Sequence, residues 1–401
     1  MNVISKKTAV ILLGSLIGVL TVTGVGISQA TVRLRFPVPI NPVYAYTFDG
    51  NNRVIKYGLC LNWNCENWQD EATIGVGDQT EIIVGADQLP LLVHSTTPGG
   101  YLNGLEINKC QDIKCQNVLS NQIEPTSVQV TYPSIALGSN GFPFVLYVSQ
   151  IVGPPPWEDD VVLYQCTDLD CTTGTKTILL HGTPPNTYAG GDIAIAIQPT
   201  NGYPIFTLTQ NSLQVGPQTL VVACQDLSCT QRTVTTIQES SFVIEEQSIA
   251  IGSDGLPVVA YSRLSNGALY FVRCRTQDCS QYAPPRLLDN NGATPTILIQ
   301  NDGLPALSFR GWETPSDVNS YFLKCHDLRC SSFETTTLYE HTAPTVPYAI
   351  QAADGFPLVF ISTNSSQGSL RILKCEDSLC RNVKSSAQEN VYWPKHFTAA
   401  N

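Results

Sequence analysis

Charge is what this chain has least of: Asp, Glu, Lys and Arg together make up 14% of 401 residues, while 43% are hydrophobic. So apolar a composition excludes a disordered chain, and the length suffices for one large core or two ordinary ones. Basic residues are the scarcer sign, 22 Lys and Arg against 33 Asp and Glu, for a formal net charge of -11. The attraction to phosphate backbones that nucleic-acid binders use is missing, which excludes nucleic acid as a first partner. Histidine is sparse as well. His94, His181, His326, His341 and His396 show no H-x-x-x-H spacing, so no helix-borne zinc site is encoded. There is no G-x-S-x-G elbow, no phosphate-binding loop and, beyond Ala30, no convincing helical periodicity.

The N-terminus sets the compartment. After Lys6 and Lys7 the run from Thr8 to Ala30 carries no charge, and the small residues Ser28 and Ala30 suit cleavage before Thr31. Residues 1–30 therefore read as a signal peptide or a signal anchor, the latter a helix spanning a membrane through residues 8–30. Either reading places the rest outside the cytoplasm, secreted or at the cell surface, where thiols oxidise.

What is abundant is proline, glycine and cysteine: 26, 29 and 14 residues. The cysteines form seven C-x4-C pairs: Cys60/Cys65, Cys110/Cys115, Cys166/Cys171, Cys224/Cys229, Cys274/Cys279, Cys325/Cys330 and Cys375/Cys380. First cysteines are 50 to 58 residues apart, and a proline precedes each by 17 to 23 residues: Pro42, Pro90, Pro143, Pro204, Pro257, Pro305 and Pro357. Two independent markers with one period mean an internal repeat.

Each repeat reads as four short strands. In the fifth these are SIAIG from Ser248, PVVAY from Pro257, ALYFVRC ending at Cys274, and PPRLL after the cysteine turn. Asp-Gly and Asn-Gly turns join strands one and two, and proline opens strand two, where its missing N–H costs little. The fold class expected is all-β, a seven-bladed β-propeller of four-stranded antiparallel blades over residues 31–388, with one disulfide per blade. Leu34 and Phe36 fit strand one of the first blade, so the ring is expected to close without strand exchange, leaving residues 389–401 as a C-terminal tail over the seam, with closure of the ring by that tail as the alternative.

A C-x4-C pair flanking the turn between strands three and four is expected to set its two β-carbons opposite each other, within disulfide reach. Zinc is the competing reading, and it would need four ligands in one tetrahedron from pairs that sit on separate blades. Asp112, Asp168, Asp226, Asp327, Asp377 and Asn62 occupy the second loop position, where they suit turn N–H groups better than calcium.

The string SIAIGSDGLPVVAY (Ser248 to Tyr261) with its downstream CRTQDC resembles the repeats of secreted propeller proteins grouped loosely with sialidase-like or BNR-repeat propellers. The resemblance implies a propeller over nearly all of the mature chain. The Asp box of that family is not matched, because the Asp-Gly turn here joins strands one and two and lacks the tryptophan. No arginine triad is placed; Arg35-Phe36-Pro37 is the nearest string to the family's arginine signature.

In a four-stranded meander the 1–2 and 3–4 turns share one face of the disc, uniform here, and the 2–3 loops and interblade links share the other, which is variable. Binding residues concentrate on variable loops carried by a rigid scaffold. The candidate ligand-binding residues are Trp157 with Glu158, Asp159 and Asp160 in blade three, and Trp312 with Glu313 and Asp317 in blade six. A tryptophan among carboxylates suits a sugar ring or a cationic group, and equally suits plugging its own loop. Acidic links (Asp70, Glu71, Asp78, Glu124, Glu239, Glu245, Glu246, Asp289 and Glu340) and basic residues at the cysteine turns (Lys109, Lys114, Arg273, Arg275, Lys324, Arg329, Lys374 and Arg381) predict an acidic variable face and a basic stapled one. No cofactor is implied; Ca2+ remains open for carboxylates converging at a channel mouth, although no EF-hand spacing is present. The function expected is an extracellular or cell-surface module binding a glycan or a protein, the alternatives being a sialidase-like glycoside hydrolase or a structural component of a surface assembly.

Overall fold

The computed structural model describes residues 10–13, 16–19, 41–48, 53–62, 64–96, 103–151, 159–182, 186–187, 193–212, 216–239, 244–263, 267–314, 317–340, 345–363, 370–388 and 394–400. The chain divides into two units, Met1–Val38 and Pro39–Asn401. In the first, β1 (Val10–Leu13) and β2 (Leu16–Val19) pair as an antiparallel hairpin. The segment expected as a signal or anchor helix is thus extended where it is described, as its β-branched residues allow. Among the described residues no helix is long and apolar enough to cross a membrane.

The second unit is an all-β, seven-bladed propeller. Blade one contains β3 (Val43–Phe48), β4 (Val54–Cys60) and the first half of β5 (Trp68–Val84). The second half of β5 opens blade two, followed by β6 (Pro90–Thr96), β7 (Asn103–Cys110) and the start of β8 (Val118–Leu137). The rest of β8, with β9 (Pro143–Ile151), β10 (Asp159–Cys166) and β11 (Gly174–Gly182), makes blade three. Blade four comprises β12 (Asn186–Thr187), β13 (Ala194–Ile197), β14 (Pro204–Ser212), β15 (Gln218–Cys224) and β16 (Arg232–Glu239), with β12 and β13 both pairing with β14. Blade five runs through β17 (Ile244–Ile251), β18 (Pro257–Arg263), β19 (Leu269–Arg273) and β20 (Arg286–Asp289). Blade six runs through β21 (Gly292–Ile299), β22 (Pro305–Thr314), β23 (Asp317–Cys325) and β24 (Phe333–Tyr339). Blade seven is β25 (Thr345–Gln351), β26 (Pro357–Thr363), β27 (Leu370–Cys375) and β28 (Val383–Gln388).

The first strand of blade one comes from the other end of the chain. β29 (Pro394–Ala400) pairs antiparallel with β3, Ala400 opposite Val43 and Thr398 opposite Ala45. This corrects the expectation of closure without strand exchange. Leu34 and Phe36, expected in that position, lie outside the described residues. The seven first strands touch one another in turn, β29 to β5 to β8 to β13 to β17 to β21 to β25, and β25 returns to β29, which closes the innermost ring.

Period-2 alternation sends successive side chains to opposite faces of a blade. The core is consequently divided into seven clusters, each between two neighbouring blades. Between blades five and six, for example, Ala260, Leu269 and Phe271 meet Leu307, Phe309 and Leu323. Each Leu, Ile or Phe removed from water there contributes about 1.5–3 kcal/mol.

All seven expected disulfides are formed: Cys60–Cys65, Cys110–Cys115, Cys166–Cys171, Cys224–Cys229, Cys274–Cys279, Cys325–Cys330 and Cys375–Cys380, with Cα–Cα separations of 4.7 to 4.9 Å. Their setting differs from the expected one. The first cysteine of each pair stands at the end of strand three, but the residue opposite it on the returning chain is eight positions on: Trp68, Val118, Gly174, Arg232, Tyr282, Phe333 and Val383. Cys65, Cys115, Cys171, Cys229, Cys279, Cys330 and Cys380 therefore lie inside the loop and do not face their partners across the ladder, which corrects the picture of a pair flanking the hairpin. Each of these seven has a positive φ, between 52° and 55°, and donates its N–H to the carbonyl three residues before it at 3.0 to 3.3 Å. The left-handed turn folds the loop back on itself and brings the second sulfur to the first, and the second cysteines are consequently buried, at most 1% exposed.

Candidate functional site

The two ends of the propeller have different chemistry. At the stapled end, Asp87, Asn140, Asn201, Asp254, Asp302 and Asp354 occupy the tips of the 1–2 hairpins, and each side-chain oxygen caps the N–H two residues on at 2.9 to 3.2 Å. The four Asp tips also hold the basic residue that precedes the first cysteine of the same blade. Lys109 lies 2.7 Å from Asp87, Lys324 2.8 Å from Asp302 and Lys374 2.9 Å from Asp354, and Arg273 pairs with Asp254. The two Asn tips are accompanied instead by Gln165 and Ala223. A buried ammonium or guanidinium requires a carboxylate, and a neutral side chain does not. Burial pulls the Lys324 ammonium down, and Asp302 pushes it back up in part.

Of the basic residues expected on the stapled face, Lys109, Arg273, Lys324 and Lys374 are buried, while Lys114, Arg275, Arg329 and Arg381 are exposed there. Three of the acidic links on the other face are internal ties. Asp78 pairs with Arg53 at 2.9 Å, Glu124 accepts Tyr147 Oη at 2.6 Å and Lys176 Nζ at 2.9 Å, and Glu246 accepts the Thr294 N–H at 2.5 Å. The loop aspartates behave as the sequence suggests. Asp377 accepts N–H groups of Leu379, Arg381 and Asn382; desolvation raises its carboxyl, and these donors outweigh that and hold it below the ordinary range.

Hairpin tips crowd the stapled mouth of the channel. A Cβ on Gly141 would lie 2.9 Å from Ala86, on Gly202 2.1 Å from Ser139, on Gly303 2.6 Å from Ser253 and on Gly355 2.2 Å from Asn301, so neighbouring tips are in contact from blade two to blade four and from blade five to blade seven. These glycines also have positive φ, between 74° and 87°. Both requirements explain why glycine follows the Asp or Asn there.

The variable end carries arginines seated on aromatic rings. Arg263 lies 4.5 Å above Tyr270, Arg310 5.1 Å above Trp312, and Arg371 4.5 Å above Tyr339. All three positions fall in blades five to seven, at the ends of strands remote from the cysteine turns. In each guanidinium Nε is buried without an acceptor. Sequence reasoning missed these residues, since each stack joins residues on different strands or across a bend in one.

Of the seven side chains expected to bind ligand, Trp157 and Glu158 lie outside the described residues. Asp159 is 1% exposed and presents no carboxylate to the surface. Asp160 lies 2.5 Å from His181 Nδ1 on the neighbouring strand. Trp312 is half-buried, with its ring over Gly267 of blade five and under Arg310. Thr314 and Asp317 are opposite each other across the β22–β23 turn, and Glu313 lies in β22 at the register shift between Trp312 and Thr314. Blades three and six stand three places apart around the ring. His94 is fully buried and bonds Asn108 at 2.6 Å; burial depresses its pKa.

The innermost strands add one titrating group. Glu81 accepts the Ile135 N–H from the next blade at 2.8 Å, and burial raises its carboxyl to about 7 against the lowering effect of that bond and of Ser134. Among the described residues no group of three or more His, Cys, Asp or Glu side chains is placed to hold a metal ion.

No protein-family profile matches the chain, and no curated protein matches it. Solved structures do. A periplasmic gluconolactonase of Pseudomonas aeruginosa superposes with a TM-score of 0.62 at 10% identity, over 90% of this chain and 99% of that one. A putative 6-phosphogluconolactonase from Bacteroides uniformis gives 0.59 at 10% identity, over 89% and 98%. An ulvan lyase from a polysaccharide lyase family, bound to a glucuronate–sulfated rhamnose unit, gives 0.57 at 9% identity, over 88% and 92%. At such identities the likeness is one of fold, and the expected propeller stands; the repeat motif itself is not matched by a named family.

Proposed function

We propose that this chain is an extracytoplasmic propeller that binds a glycan at its variable end. The observation that carries the reading is the asymmetry of the two ends: touching hairpins narrow the stapled mouth, while the other end holds half-buried aromatic rings paired with guanidinium groups. Aromatic surface with a few fixed polar groups is the chemistry of saccharide sites. Seven disulfides support an oxidising compartment. The carbohydrate-directed names of the lactonase and the ulvan lyase favour a glycan over a protein ligand, and fold alone does not carry activity across.

Hydrolysis has one observation in its favour, the near-neutral Glu81 carboxyl in the innermost ring, which lies in the range of a general acid. The test is a glycan-binding screen of the purified oxidised protein beside a Trp157→Ala/Trp312→Ala double variant, with and without calcium, with product analysis of every bound glycan. Binding lost in the variant supports the variable-end site, and cleavage of a bound glycan favours the hydrolytic reading. Absence of binding by the unsubstituted protein overturns both and returns the weight to a protein partner.

A further inference from the structure

We propose that the variable end of blade six, where it meets blade seven, is a site for an anionic saccharide read by Arg310 and Arg371. This rests on the glycan-binding reading and names its ligand class. Three guanidinium groups are held close by carboxylates: Arg53 pairs with Asp78, Arg273 with Asp254 and Arg381 with Glu334. Arg371 has no carboxylate partner among the described residues, and Arg310 has Glu246 at 3.7 Å, a carboxylate already held by the Thr294 N–H. Neither guanidinium has a carboxylate oxygen nearer than 3.7 Å among the described residues. Both Nε–H groups are buried without an acceptor. Donors left so cost free energy unless something supplies the acceptor, and they mark where a missing group belongs.

The register places them together. Arg310 on β22 stands opposite Ser320 on β23, and Ser320 opposite Tyr339 on β24, so the three share one cross-strand row and one face of blade six. Arg371 of blade seven sits on the Tyr339 ring at the outer end of that row, 4.5 Å from its centroid. A row of three strands spans about 10 Å. That separation suits two anionic groups on one short oligosaccharide. Stacking on Trp312 and Tyr339 fixes the plane of each guanidinium before a ligand arrives, which lowers the ordering cost of bidentate contact with a carboxylate or sulfate. The negative balance of the chain, -11 overall, disfavours non-specific capture of a polyanion, so binding depends on local guanidinium contacts.

Calorimetric titration of the oxidised protein with oligogalacturonate, with a sulfated galactan oligosaccharide and with its unsulfated counterpart tests the assignment. At least one anionic ligand should bind tenfold or more tightly than the neutral one, with affinity falling as salt rises, and the two anionic arms identify carboxylate or sulfate. Arg310→Gln/Arg371→Gln should lose that preference. Arg310→Lys/Arg371→Lys, which keeps the charge and loses the planar fork, should retain part of it and decides the matter if the Gln variant does not fold. Arg381→Gln, at the stapled end, should change nothing. Equal binding of neutral and anionic sugars, or an anionic preference unchanged in both double variants, overturns the site while leaving glycan binding standing. Failure of every saccharide to bind overturns the glycan reading and the site with it.

Discussion

A repeat protein compares its own residues, and the hairpin tips of this one do so at the charge before each cysteine. Asp at the tip goes with Lys or Arg, and Asn goes with Gln165 or Ala223. Asp302→Asn should therefore leave the Lys324 ammonium buried beside a neutral amide, at a cost of about 1–3 kcal/mol given that Asp302 is half-exposed. Adding Lys324→Gln, which reproduces the third blade, should recover most of the loss. Urea unfolding of the two single variants and the double variant measures the coupling. The loop carboxylates make a separate pH prediction. Asp112, Asp168, Asp226, Asp327 and Asp377 are each raised by desolvation and lowered further by turn N–H bonds, ending below the ordinary 3.8. An acid lowered by folding gives stability that is complete above its unfolded value and lost as pH falls through the folded one. The difference in thermal midpoint between the protein and an Asp327→Asn/Asp377→Asn variant should hold from pH 7 to about 5 and shrink below about 4.

Six of the seven first strands were legible in outline as apolar pieces, five of them before Asp-Gly or Asn-Gly turns and that of blade two before Asp87-Gln88, because pattern and turn chemistry agree there. The seventh was misplaced. PKHFTAA carries neither the proline-led turn nor the apolar alternation of its counterparts, and its partner strand is more than three hundred residues away. Leu34 and Phe36 offered a nearer alternation, and nothing local distinguishes the two. The cysteine pairing, the loop aspartates and the strand order followed from spacing. The placement of the second cysteines did not, because a positive φ at a non-glycine residue such as Cys115 or Cys330 leaves no mark in the residue type. Two of the three arginine–aromatic stacks, Arg263 on Tyr270 and Arg371 on Tyr339, join different strands, which a linear sequence does not display. Removing residues 391–401 should leave β3 as an open edge at the closure point. The expected result is a lower, broader thermal transition and concentration-dependent association by light scattering; an unchanged sharp transition would mean that β29 is dispensable.

At the scale of the whole molecule, stability is spread over seven interblade cores and seven covalent clips. A loop closed by a C-x4-C bridge is worth roughly 2 kcal/mol in the chain-entropy picture. Each clip acts within one blade, so none links neighbours. Full reduction should lower the urea midpoint substantially while leaving the sheet signal in far-UV circular dichroism near its native shape at low denaturant. Loss of the sheet on reduction alone would show that the bridges are required for folding itself.

The strand borrowed by blade one also imposes an order of events. During synthesis the N-terminal end emerges first, yet the blade nearest to it stays one strand short until residues 394–400 are delivered. Six blades can assemble and form their clips in sequence, but the circle cannot lock until the last stretch arrives. A chain crossing a membrane would thus remain an open, pliable arc throughout transit and become a rigid ring only after release.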